Sequence, residues 1–98
     1  MSDVTPDLRE LAASLSGLAR RAVDVYTPIV EGIVRAGSTD VDRIEHTLDG
    51  LLGFCFDPGA LRLFKRLCRH YWAFDPVATA SHIHAYREMW DSEPEAPP

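Results

Sequence analysis

Asp57-Pro58-Gly59-Ala60-Leu61-Arg62-Leu63-Phe64-Lys65-Arg66-Leu67-Cys68-Arg69-His70-Tyr71-Trp72-Ala73-Phe74-Asp75-Pro76 decides the fold. The stretch opens and closes on the same pair, aspartate followed by proline. An aspartate carboxylate caps the free N–H groups of a helix start, and proline fits the first helical position because its missing N–H would have had no partner there. At about 100° per residue, Leu61, Leu63, Phe64, Leu67, Cys68, Tyr71 and Phe74 gather on one half of the wheel. Arg62, Lys65, Arg66, Arg69 and His70 form a continuous arc on the other. The stretch is an amphipathic helix, Pro58 to Phe74, and its second Asp-Pro pair starts another, Pro76 to Asp91.

Upstream, the same punctuation recurs. Thr5-Pro6 reads as a helix start, Gly37 after Ala36 as a stop, and Ser38-Thr39-Asp40 as the next cap. The predicted helices are Pro6 to Ala36, Asp40 to Phe56, and the two above. In the first, Leu8, Leu11, Leu15, Leu18, Ala22, Tyr26, Ile29 and Ile33 share the core-facing half, and the stripe stays in phase through Pro28 on the polar side. One long helix bent at Pro28 is preferred to a helix broken there with Thr27 capping a second piece. In the second helix Val41, Ile44, Leu48, Leu51, Leu52 and Cys55 form the apolar arc. In the fourth it is Ala78, Thr79, Ile83, Tyr86, Met89 and Trp90. No segment alternates with the period of a strand. Connections of one to three residues fold successive helices back on each other. The expected fold is all-α, a compact four-helix bundle with the first helix as its spine.

Composition agrees with one domain: 98 residues, 46% hydrophobic and 26% charged, which excludes a chain disordered throughout. Residues 1–91 are read as the helical domain and 92–98, with Glu93, Glu95 and three prolines, as a disordered acidic tail. No apolar run approaches the roughly 18 residues needed to span a bilayer, and the polar N-terminus is unlike a signal peptide. The expectation is a cytoplasmic protein without membrane contact.

The net charge of −5 is unevenly spread. Pro58 to Phe74 carries +4 and the remainder −9. A basic helix face could follow a phosphate backbone or an acidic protein. The Asp57-Pro58-Gly59 turn superficially resembles a helix-turn-helix junction, but no Asn, Gln or Ser interleaves the arginines to read bases. Arg62, Lys65, Arg66, Arg69 and Trp72 are therefore taken first as a protein-binding face, and as a nucleic-acid face second. The bland alternative is a solvated face opposite the acidic second helix. A second candidate surface is His46, Gly50, Gly53 and Phe54. Phe54 falls off the apolar phase of its helix, and two glycines beside it permit a close backbone approach. Either the bundle covers this side internally or a second copy does, making a homodimer.

Chemistry at the sequence level is sparse. Cys55 and Cys68 lie on core faces and read as buried free thiols. His82 and His84 point about 200° apart on a helix and cannot share an ion. His82 reads as a hydrogen-bonded core histidine. No metal, cofactor or catalytic residue is assigned. The functional expectation is a small, non-enzymatic, self-associating interaction or adaptor protein. The alternative is a nucleic-acid-associated accessory protein.

Overall fold

The computed structural model describes residues 7–91. The Thr5-Pro6 start and the acidic tail lie outside the described residues. Four helices follow in order: α1 (Leu8–Ala36), α2 (Val41–Leu52), α3 (Pro58–Trp72) and α4 (Pro76–Trp90). Among the described residues there is no strand.

The caps are those of the sequence for three helices. Asp40 accepts from the Arg43 N–H, Asp57 from Gly59 and Ala60, and Asp75 from Ala78. For α1 the described cap is Asp7. Gly37 ends α1 in the left-handed region, at φ 59°, where only glycine sits without strain. Its N–H reaches the carbonyls of Ile33 and Val34, and the Ser38 N–H bonds Ile33, closing the helix end.

Helix α1 is unbroken through Pro28, which is exposed. The carbonyl of Asp24 loses its helical donor, and water can replace it on that side. Thr27 does not cap a new helix. Its hydroxyl donates to the Val23 carbonyl at 2.6 Å, one turn back within α1.

Contacts between side chains fix the topology. Along α1, Gly59 lies beside Val23, Arg66 beside Glu31 and His70 beside Ser38, so α3 runs in the direction of α1. Gly50 of α2 meets Tyr26, and the rings of Phe64 and Tyr86 pair α3 with α4. The chain runs up, down, up, down. The hub is α3, which packs more extensively than any other helix; α2 also touches all three of its neighbours, whereas α1 and α4 do not meet. That corrects the expectation that α1 would be the spine. Charge misleads here: the most basic helix is also the most central, because its opposite face carries Leu63, Phe64, Leu67, Cys68 and Tyr71, all buried.

Two further corrections follow from length. At about 1.5 Å per residue α1 is roughly twice as long as α3, so the bundle can cover only part of it. Burial on α1 starts at Ala19 and continues at Ala22, Val30 and Ile33. Leu8, Leu11, Leu15 and Leu18, expected in the core, are exposed at 81, 44, 50 and 50%. On α4, Met89 and Trp90 are likewise expected inside but are exposed at 54 and 40%. The Trp90 indole N–H nevertheless donates to the Leu52 carbonyl at 2.7 Å and tethers the end of α4 to the end of α2.

Candidate functional site

The basic arc of α3 is divided between two neighbouring helices. Arg62, Lys65, Arg66, Arg69 and Trp72 are all exposed, yet helical spacing divides them. On the α1 side, Arg66 closes on Glu31, its Nε 2.8 Å from Oε1 and its Nη2 donating to Oε2 at 3.1 Å. Further along, His70 donates from Nε2 to the Ser38 carbonyl at 2.7 Å. These two groups bind α3 to α1 and to the loop after it. The expected acidic counterpart on α2 is not the one Arg66 uses.

On the α4 side, Lys65, Arg69 and Trp72 follow at i, i+4 and i+7 along the lip of a groove. The groove lies between α3 and α4 and encloses about 500 Å³. Leu61, Phe64, Cys68, Ile83 and Tyr86 supply its apolar lining, with the rings of Phe64 and Tyr86 5.8 Å apart. Arg87 completes the wall from α4, and Asp91 is the acidic residue at its edge. Among the described residues Lys65, Arg69 and Arg87 make no side-chain hydrogen bond or ion pair. Trp72 is 53% exposed at the lip. Three cationic heads around an apolar floor suit a ligand with carboxylates on one side and an apolar anchor on the other.

The thiol in the groove does not add nucleophilic chemistry. Burial, with the neighbouring Cys55 thiol adding to it, pushes Cys68 up to about 12, and burial alone pushes Cys55 up to about 11. A thiol held neutral at pH 7 is a poor nucleophile. Thr79, also on the lining, donates its hydroxyl to the Asp75 carbonyl.

The residues expected to mediate self-association are not brought into one face. His46 is exposed on α2. Gly50 is covered from within the chain by the Tyr26 side chain. Gly53 lies past the last helical residue as the C-cap of α2, open to solvent. Phe54 follows in the turn and is half-buried against the core. Its odd phase on the wheel has a simple cause. The helix ends at Leu52 rather than Phe56, so helical spacing no longer places residue 54.

Sequence reading missed one polar cluster. The buried Tyr71 hydroxyl donates to Glu45 Oε2 at 2.7 Å, and His82 lies 3.6 Å from both Glu45 and Asp49. Burial, and then the Glu45 carboxylate, hold the phenol proton well above its ordinary range. His82 is largely buried, as expected, but in place of the expected hydrogen bond its ring nitrogens face two carboxylates of α2 just beyond hydrogen-bond distance. The cluster joins α2, α3 and α4. Among the described residues no group of three or more His, Cys, Asp or Glu is arranged to hold a metal ion.

Compared with family profiles, curated proteins and solved structures, the chain matches none of them.

Proposed function

We propose that this chain is a non-enzymatic interaction or adaptor protein that docks an acidic, amphipathic segment of a protein partner in the groove between α3 and α4. The observation that carries this reading is the convergence of Lys65, Arg69 and Arg87, from two helices, on one apolar floor, with no side-chain partner for any of the three among the described residues. An amphipathic helix with carboxylates flanking a leucine or aromatic anchor would bury that anchor against Phe64, Ile83 and Tyr86 and leave its acids on the cationic rim. Trp72 would pack against its side. Nucleic acid is the weaker occupant, because the Arg66–Glu31 pair interrupts the cationic row and the chain is acidic as a whole. A cytoplasmic location and self-association are part of the proposal. No helix among the described residues is long and apolar enough to cross a membrane.

Fluorescence titration tests the groove. Tryptophan emission, with Trp90→Phe as the control that leaves Trp72 as the reporter, is followed against a helical peptide bearing a leucine anchor and four glutamates, its glutamine analogue, and a single-stranded oligonucleotide. The acidic peptide should bind, the glutamine analogue more weakly, and Lys65→Glu/Arg69→Glu should abolish binding. Tight binding of the oligonucleotide with none of the peptide would overturn the reading.

A further inference from the structure

The leucines that the bundle leaves uncovered have a regular spacing. Leu8, Leu11, Leu15 and Leu18 follow at intervals of three, four and three, the a and d positions of a heptad. All four are exposed, and all precede Ala19, where burial against the rest of the chain begins. Leu11 to Ala19 contains no charged residue, and Ala12 and Ser14, which flank the seam, are small. Gly17 has open space around it. A surface helix normally places charge at such positions.

We infer that the first eleven residues of α1 form an antiparallel coiled-coil seam with the same segment of a second copy of this chain. This deepens the self-association part of the reading above, and it is independent of the groove.

Self-complementarity identifies the occupant. Set antiparallel about a two-fold axis at Ala13, Leu8 of one copy stands level with Leu18 of the other, and Leu11 with Leu15. Every exposed leucine then meets another, a with d, and the contact is isologous and closed. Residue 19 falls level with residue 7 of the second copy, so the two bundles sit at opposite ends and clear each other. A parallel pair would instead gather Arg20 and Arg21 of both copies at one level. The overlap spans about three turns, so its area is at the low end of specific interfaces, below roughly 1,200 Å² in total. The dimer is accordingly reversible and concentration-dependent.

Sedimentation equilibrium of the full chain tests it, comparing wild type with Leu11→Ala/Leu15→Ala. Alanine keeps the helix, since it has the highest helix propensity. Wild type should dimerise, and the variant should dissociate about a hundredfold more readily, with unchanged circular dichroism and unchanged binding of the acidic peptide. Mixing Leu11→Cys with Leu15→Cys chains under diamide should give the mixed disulfide in preference to the Leu15→Cys homodimer. Cys55 and Cys68 do not interfere because both are buried. A wild type that is monomeric up to about millimolar concentration overturns both the seam and the self-association reading. So does a monomer that sediments with anionic vesicles, which would give the leucines to a lipid surface. A dimer indifferent to the alanines, or preferential Leu15→Cys self-linkage, overturns the seam or its direction and leaves self-association standing elsewhere.

Discussion

The hydroxyl of Tyr26 on α1 fills the space that a Cβ at Gly50 on α2 would need. Gly50 is inside a helix, where glycine costs up to about 1 kcal/mol against alanine. Helix propensity is given up at the point where α1 and α2 approach. Because the obstructing atom is the end of a side chain, Tyr26 can swing aside, at the cost of its packing on the core. The expected outcome is a coupling. In wild type, Gly50→Ala should be neutral or destabilising. In a Tyr26→Ala background the same change should stabilise by about 0.5–1 kcal/mol. Urea unfolding of the four proteins measures it. Equal gains in both backgrounds would show that the contact has no energetic weight.

The cations of α3 should separate by partner. Arg66→Glu replaces the pair with Glu31 by two facing carboxylates and should cost about 1 kcal/mol, within the range of partly exposed ion pairs. Single changes of Arg62, Lys65 or Arg69 to glutamate should stay within about 0.5 kcal/mol, because these side chains are exposed and form no ion pair among the described residues. Thermal unfolding at low salt reads the difference, and added salt should shrink the Arg66 effect. A large loss at Lys65 or Arg69 would mean the groove rim is structural.

Much of this fold is legible in the sequence, and the reason is local. Asp40, Asp57 and Asp75 cap the helices they precede, and Gly37 stops α1, because capping depends on atoms within a few residues. Periodicity is equally local, and it correctly finds the face holding Ile44, Leu48, Leu51, Leu63 and Leu67. What it cannot supply is the partner of a face. Leu11 and Ile33 share a stripe on α1, yet only Ile33 is buried against the other helices. The groove is half visible: Lys65, Arg69 and Trp72 stand out along α3, but Arg87 joins them only through the packing of α4 on α3. Nothing in the weak apolar pattern of α4 announces that. Phe54 shows the opposite error, a phase carried past the end of its helix.

Alkaline pH should unfold this protein earlier than its charge suggests. Unfolded thiols lose their protons near 9.0, whereas folded Cys55 and Cys68 keep theirs up to about 11 and 12. Between those values the unfolded chain binds fewer protons, so stability falls as pH rises. The contribution is intact below pH 9 and declines by up to about 1.4 kcal/mol per pH unit for each thiol. Tyr71, raised by burial, adds in the same direction. Urea midpoints from pH 8 to 11 should therefore drop steeply, and Cys68→Ala should flatten the slope even where it lowers stability at pH 8. An unchanged slope would mean that the thiol is not buried as a neutral group. In the folded state neither cysteine should react appreciably with a thiol reagent at pH 8.

The exposed half of α1 should exchange its amide hydrogens unlike the rest of the helix. Val30 and Ile33 are locked against the core, so opening there requires breaking the bundle. Residues 12–18 have only their own helical hydrogen bonds to hold them, and an isolated helix this short is marginal in water. In dilute solution their amides should therefore exchange orders of magnitude faster than those of residues 30–34, with the boundary falling near Ala19. Raising the protein concentration should slow residues 12–18 selectively if a second copy covers the leucines, because a binder that stabilises the closed form suppresses local opening by mass action. The residues near Val30 should not respond. Leu11→Ala/Leu15→Ala should remove the concentration dependence while leaving the fast exchange of the dilute state. Uniform protection along α1 in dilute wild type would show that the N-terminal half is held within one chain, contrary to the exposure of its four leucines.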